Sequence, residues 1–120
     1  MPPDDVIRLR HMVEAIEAAL LFCEGRQRPD LDDDLLLRFA VTHAVQIIGE
    51  AAARVSSETQ ERTAQLEWPV IIGMRNRLVH AYFDVDCDIL WTTVKRDLPE
   101  LLARLGTIEE VVGPLSSQAD

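Results

Sequence analysis

Apolar residues recur along this chain at alternating steps of three and four, the spacing that lines up one face of an α-helix. Val6, Leu9, Val13, Ile16 and Leu20 form the first stripe, widened by Met12, Ala19 and Cys23. The helix that carries it is predicted to stop near Gly25. A polar connector over residues 26–34 follows, and its aspartates sit where the positive end of the next helix favours negative charge. A second stripe, Leu37, Ala40, Ala44, Ile47, Ala51 and Val55, predicts a helix from Leu35 to Val55. Its second half is small (Gly49, Ala51, Ala52, Ala53), which lets another helix approach closely. Ser57-Glu58-Thr59-Gln60 reads as a capping box opening a short helical turn. Trp68-Pro69 then starts a third helix, because proline suits the first helical position, and the pattern carries it to Phe83. Asp84-Val85-Asp86 breaks it. A fourth helix, capped by Asp86 or Asp88, presents Leu90, Val94, Leu98, Leu101 and Leu105, with a kink or split at Pro99. A last helical turn is drawn over Thr107 to Val112. The pattern shows no convincing strand pair, so the expected fold is all-α: an antiparallel four-helix bundle with short extra helical turns. Residues 1–112 form a single domain in this reading, and 113–120 a flexible carboxy-terminal tail.

Composition narrows the function classes. Hydrophobic residues make up 48% of the 120-residue chain and charged residues 28%, the balance of a folded domain. No uninterrupted apolar run reaches the ~18 residues of a membrane span. The acidic start lacks a signal-peptide pattern, so the expected location is cytoplasmic, with no membrane partner. Net charge is −9, which argues against broad nucleic-acid binding through neutralised phosphates and suits a basic protein partner. Cys23 and Cys87 lack metal-ligand or disulfide spacing and read as free buried thiols. His11 and His43 share no ligand spacing with His80, so neither metal site nor cofactor is expected.

The chemistry-bearing stretch is Arg75-Asn76-Arg77-Leu78-Val79-His80-Ala81-Tyr82. A guanidinium grips phosphate oxygens as a planar fork, and imidazole moves protons near neutral pH. On a continuous helix Asn76 and His80 share a stripe with Gly73, and Arg75 shares another with Tyr82. Arg75 and His80 then stand ~140° apart. Arginine's long stem closes that distance, or the helix distorts, or a second copy completes the site across a two-fold axis. Without further context, a lone helical histidine is more often a satisfied structural residue and an arginine beside it more often a surface pair, and Tyr82 reads as a helix-end packing residue. His43, Gln46 and Glu50 form a polar stripe on the second helix, where Glu50 either faces a site or pairs with Arg54. Trp68 and Trp91 read as core anchors.

Ile47-Ile48-Gly49-Glu50-Ala51-Ala52, the run from Trp68 to Tyr82, Val85-Asp86, Ile89-Leu90-Trp91 and Asp97-Leu98-Pro99-Glu100-Leu101 occur in that order. Together, over about Val6 to Leu105, they resemble the HepT-like family of the HEPN superfamily of helical RNases. The resemblance implies a helical bundle that forms a homodimer or higher oligomer, with paired motif helices lining a cleft. It implies a metal-independent endoribonuclease that acts as the toxin of a toxin–antitoxin pair and takes RNA as substrate. The partner it implies is a minimal (MNT-type) nucleotidyltransferase antitoxin. Arg75 and His80 match the family's catalytic pair, and Asn76 matches the polar residue beside the arginine. Glu50 and Arg77 are supporting candidates. Tyr82 matches the tyrosine that the partner modifies with AMP. The alternative is a non-catalytic nucleotide- or substrate-binding subunit, or a scaffold, in a nucleotidyltransferase complex. A purely structural bundle whose polar motif sets dimer register is a third reading.

Overall fold

The computed structural model describes residues 1–81 and 84–111. It is a helical bundle with one minimal hairpin. Helix α1 spans Pro3–Cys23 and α3 Leu35–Ala53, with a short α2 (Asp30–Asp33) in the connector between them. Next come α4 (Ser57–Arg62), α5 (Trp68–Ile72) and α6 (Met74–Leu78), then β1 (Val79–Ala81) and β2 (Asp84–Val85). The fourth leg consists of α7 (Cys87–Thr92), a π-helical stretch (Thr93–Asp97) and α8 (Leu98–Leu105). Helix α1 packs on α3 and α8; α3 packs on α5 and α6; α6 packs on α7. The four legs thereby close around one core.

The first half follows its apolar pattern. Leu9, Met12, Ile16, Ala19 and Cys23 are fully buried on α1, where each large side chain contributes about 1.5–3 kcal/mol relative to exposure. Helix α1 ends before Gly25, whose φ of 72° is the left-handed conformation glycine adopts without strain. On α3 the buried residues are Leu37, Val41, Ala44, Val45, Ile48, Gly49, Ala51 and Ala52. The expected face is therefore rotated: Ala40 and Ile47 are only half-buried, and Val41, Val45 and Ile48 form the centre of the contact. By length and mean hydropathy (1.3) α3 would pass for a membrane span. In this fold it is the central core helix. Asp34 caps it, its carboxylate accepting from the Leu37 amide at 3.0 Å.

Helix α4 is capped one residue earlier than the box pattern suggested. Ser56 Oγ accepts from the Thr59 amide at 3.3 Å. Asp5, 4% exposed at the start of α1, accepts from Ser56 N at 3.1 Å, Ser56 Oγ at 2.6 Å and Thr59 Oγ1 at 2.5 Å. Burial pushes the Asp5 carboxyl up, but these hydrogen bonds outweigh it and hold the group below the ordinary aspartate range. The connector is tied down by Arg26 on Asp30 and Asp34, and by Arg28 bridging Asp32 to Asp88 at 2.8 and 2.7 Å.

The third leg departs most from expectation. It is broken at Gly73 and ends at Leu78, so it does not reach Phe83. Val79–Ala81 pairs antiparallel with Asp84–Val85, and the Asp86 amide donates to the Leu78 carbonyl at 2.7 Å. Val79 and Val85, both β-branched, favour this extended geometry. The expected absence of a strand pair is thereby corrected. Asp86 caps α7 through the amides of Asp88 and Ile89. Pro99 lacks the N–H that would bond the Lys95 carbonyl, and its ring crowds that carbonyl. The helix responds by widening into the π turn just before it, so Leu90, Val94, Leu98, Leu101 and Leu105 all stay on the buried face. Trp68 is buried with Nε1 donating to the Thr63 carbonyl at 3.3 Å. Trp91 is half-buried under Lys95, whose ammonium lies 4.7 Å from the ring centre. Both cysteines are free and buried, and burial raises both thiols. The proposed tail, 113–120, lies outside the described residues, as does Val112.

Candidate functional site

Helix α3 and the broken third leg meet at Gly49. A Cβ built there would stand 3.2 Å from the Ile72 carbonyl oxygen and 3.5 Å from that of Ile71. The small half of α3 thus lets the backbone at the end of α5 rest directly on it. The break at Gly73, with the Asn76 amide donating back to the Gly73 carbonyl at 3.1 Å, restarts the chain as α6. Arg75 and Asn76 then lie beside Gln46 and Glu50, lining a hollow of about 250 Å³. The Arg75 guanidinium is exposed and, among the described residues, makes no hydrogen bond or ion pair. Glu50 lines the same hollow but accepts instead from Gln46 Nε2 at 2.9 Å. The expected Glu50–Arg54 pair does not form among the described residues. An unspent guanidinium in a chain of charge −9 is an available fork for an incoming anion.

His80 occupies a different kind of position. Val79 pairs with Val85 and Ala81 with Asp84, so His80 is the extra residue of a β-bulge. A bulge re-aims a side chain and breaks strand pairing locally. Its imidazole is exposed and has no partner among the described residues. The helical-wheel relation drawn between Asn76 and His80 does not exist, because the helix ends between them. The Arg75–Tyr82 stripe presumed a helix continuing past Leu78, where α6 ends, and Tyr82 itself lies outside the described residues. Within one chain His80 does not line the hollow of Arg75. Its neighbour Val79 does line a second hollow that Arg75 shares, about 160 Å³ between α3 and the hairpin.

Arg77 faces elsewhere. Its Nη2 reaches the Val70 carbonyl at 3.4 Å, and it lines a groove of about 360 Å³ with Arg96 and Arg104 across the third and fourth legs. Asp97 and Glu100 line that groove too, so its cations and anions interleave. The sequence reading missed Arg96 and Arg104; their eight-residue spacing on one helical leg was the available signal. No three His, Cys, Asp or Glu side chains group as a metal site among the described residues.

Comparison with known proteins places these residues in context. Residues 12–108 match the family model described as "Ribonuclease HepT-like". The chain is 38% identical over 93 residues to "Probable ribonuclease HepT" of Thermococcus cleftensis, covering 78% of this chain and 84% of that protein. It is 33% identical to "Putative RNase TTE0752" of Caldanaerobacter subterraneus subsp. tengcongensis, over 78% of this chain and 83% of the relative. It is 30% identical to "Putative RNase MJ1380" of Methanocaldococcus jannaschii, over 78% and 85%. No solved structure gives a significant match.

Proposed function

The chain belongs to the ribonuclease HepT-like family, and from that premise we propose that it is a metal-independent endoribonuclease with Arg75 and His80 as its catalytic residues. The observation that carries this reading is the open, unpartnered guanidinium of Arg75 beside Asn76. In the reaction, the ribose 2′-oxygen attacks the adjacent phosphorus as His80 takes its proton. The bond from phosphorus to the 5′-oxygen breaks, and a second imidazole returns a proton to that oxygen. The products are a 2′,3′-cyclic phosphate and a 5′-hydroxyl. Arg75 stabilises the charge that grows on the phosphoryl oxygens, Asn76 helps hold the phosphate, and Glu50 orients the hollow through Gln46. Arg77, on the other side of the third leg, serves at most a distant phosphate.

One chain supplies one copy of His80, on a hairpin position that lines neither of the hollows that Arg75 lines. A homodimer or higher oligomer that brings two copies of the third leg together supplies both the proton acceptor and the donor. The finer reading is a toxin whose antitoxin is an MNT-type nucleotidyltransferase that adds AMP to Tyr82. Tyr82 follows His80 by two residues in the sequence, and such a modification adds a bulky anion that repels RNA.

The decisive experiment is RNA cleavage by purified protein in the presence of chelator. Cyclic phosphate ends are expected, with His80→Ala abolishing them while circular dichroism stays helical. Metal dependence, or full activity in that variant, overturns the mechanism. For the regulatory part, co-expression with such a nucleotidyltransferase is expected to add the mass of AMP to the Tyr82 peptide; an unmodified peptide removes that role.

A further inference from the structure

The two hollows on α3 are joined through Gln46 and Arg75, which line both. A phosphate gripped by Arg75 therefore has the second hollow immediately beside it, between α3 and the hairpin. Its walls are of two kinds. Phe39, Val79 and Val85 are apolar, while Thr42, His43 and Gln46 bring a hydroxyl, an imidazole and an amide from successive turns of α3. Apolar or aromatic faces with polar groups at the edge are how proteins receive an unstacked RNA base. The volume, about 160 Å³, gives room for an aromatic ring, since about 150 Å³ accepts benzene.

Gln46 supplies the reading head. Its Nε2 donates to the Glu50 carboxylate, which can only accept, so the amide's orientation is set. One N–H and the carbonyl oxygen are left uncommitted. An adjacent donor and acceptor on a side-chain amide is the pair that matches the N6 amino group and N7 of adenine. His43 is exposed and has no hydrogen-bond partner among the described residues. Thr42 donates its hydroxyl proton to the Arg38 carbonyl at 2.7 Å, which leaves its oxygen free to accept.

We propose that this second hollow is a nucleobase subsite for the ribonucleotide flanking the phosphate at Arg75, with adenine preferred and Gln46 and His43 setting the preference. The proposal rests on the RNA-directed reading above and adds base selectivity to it.

The test is binding of four dinucleotides, ApA, CpC, GpG and UpU, each methylated on the 2′-oxygens so that it cannot be cleaved, to the full chain. ApA is expected to bind on the order of tenfold more tightly than the others. Gln46→Ala is expected to level the four, His43→Ala to narrow the gap, and Arg75→Ala to weaken all four alike. Equal binding of the four, or an unchanged rank order in both α3 variants, overturns the subsite. The two readings fail separately. Cleavage of mixed-sequence RNA without base-selective binding removes the subsite and leaves the nuclease. Adenine-selective binding without any cleavage keeps the subsite and removes the nuclease.

Discussion

Helix α3 and the stretch from Trp68 to Val85 both begin with clear helix signals, yet they end as opposites. Helix α3 runs unbroken from Leu35 to Ala53 because α1 covers it along its length and Asp34 caps its start. The other stretch breaks at Gly73, ends as a helix at Leu78 and closes as a bulged hairpin. The continuous helix supplies the wall, and the broken one presents the groups. Arg75, Asn76 and His80 are all exposed, and each sits on or next to an interruption. Irregular backbone here frees polar side chains that a fully packed helix would have turned either into the core or into a uniform solvent face.

The sharpest way to separate the two regions is chemical. Arg75→Ala is expected to lower RNA cleavage by about 10²–10³-fold, the usual loss for a transition-state charge stabiliser. The melting curve is expected to stay within about 0.5 kcal/mol of the parent, because the side chain is exposed and unpaired. A large loss of stability instead would make Arg75 a structural residue. Asp5→Ala is the converse. It removes the acceptor of three hydrogen bonds that join α1 to α4 and is expected to cost about 2–3 kcal/mol, read by urea denaturation, with catalysis per folded molecule unchanged. Its pH signature follows from the depressed carboxyl. The unfolded chain binds the proton more readily than the folded one, so the Asp5 contribution is fully present above the ordinary aspartate value of 3.8. It is lost as pH falls through the lower folded value. The parent is therefore expected to lose part of its advantage over Asp5→Ala between pH 5 and the acid limit; a constant difference across that range counts against the assignment.

The smallest effect tests the seam between the regions. Gly49→Ala places a methyl 3.2 Å from the Ile72 carbonyl, so α5 must move by a few tenths of an ångström. A destabilisation of about 1 kcal/mol is expected, accompanied by weaker cleavage because Arg75 follows that helix. Unchanged cleavage at reduced stability would show that the seat of Arg75 absorbs the shift.

Periodicity was enough to locate α1, α3 and the fourth leg; Gly25 marked the end of α1, Asp86 the start of the fourth leg and Pro69 the start of the third. These are local properties: a 3.6-residue stripe, a fixed φ and a side-chain cap act within a few residues of themselves. The small residues around Gly49 also pointed to a close approach. The rotated face of α3 shows the limit, because which of two adjoining apolar rows is buried depends on the direction from which α1 and α5 arrive. The third leg shows it more plainly. Its residues fit a helix by spacing and a strand by β-branching, and the choice fell to contacts made elsewhere in the chain. Once Leu78 is buried and its carbonyl is taken by the Asp86 amide, Val79–Ala81 are held extended. The residue types of the candidate site, Arg75, Asn76 and His80, were therefore legible as chemistry, while their arrangement was not. The sequence by itself determined which groups this protein can present to a phosphate. Only tertiary packing decided that Arg75 shares a groove with Gln46 and Glu50 while His80 stands out on a bulge, because relative orientation is set by long-range contacts that no local pattern encodes.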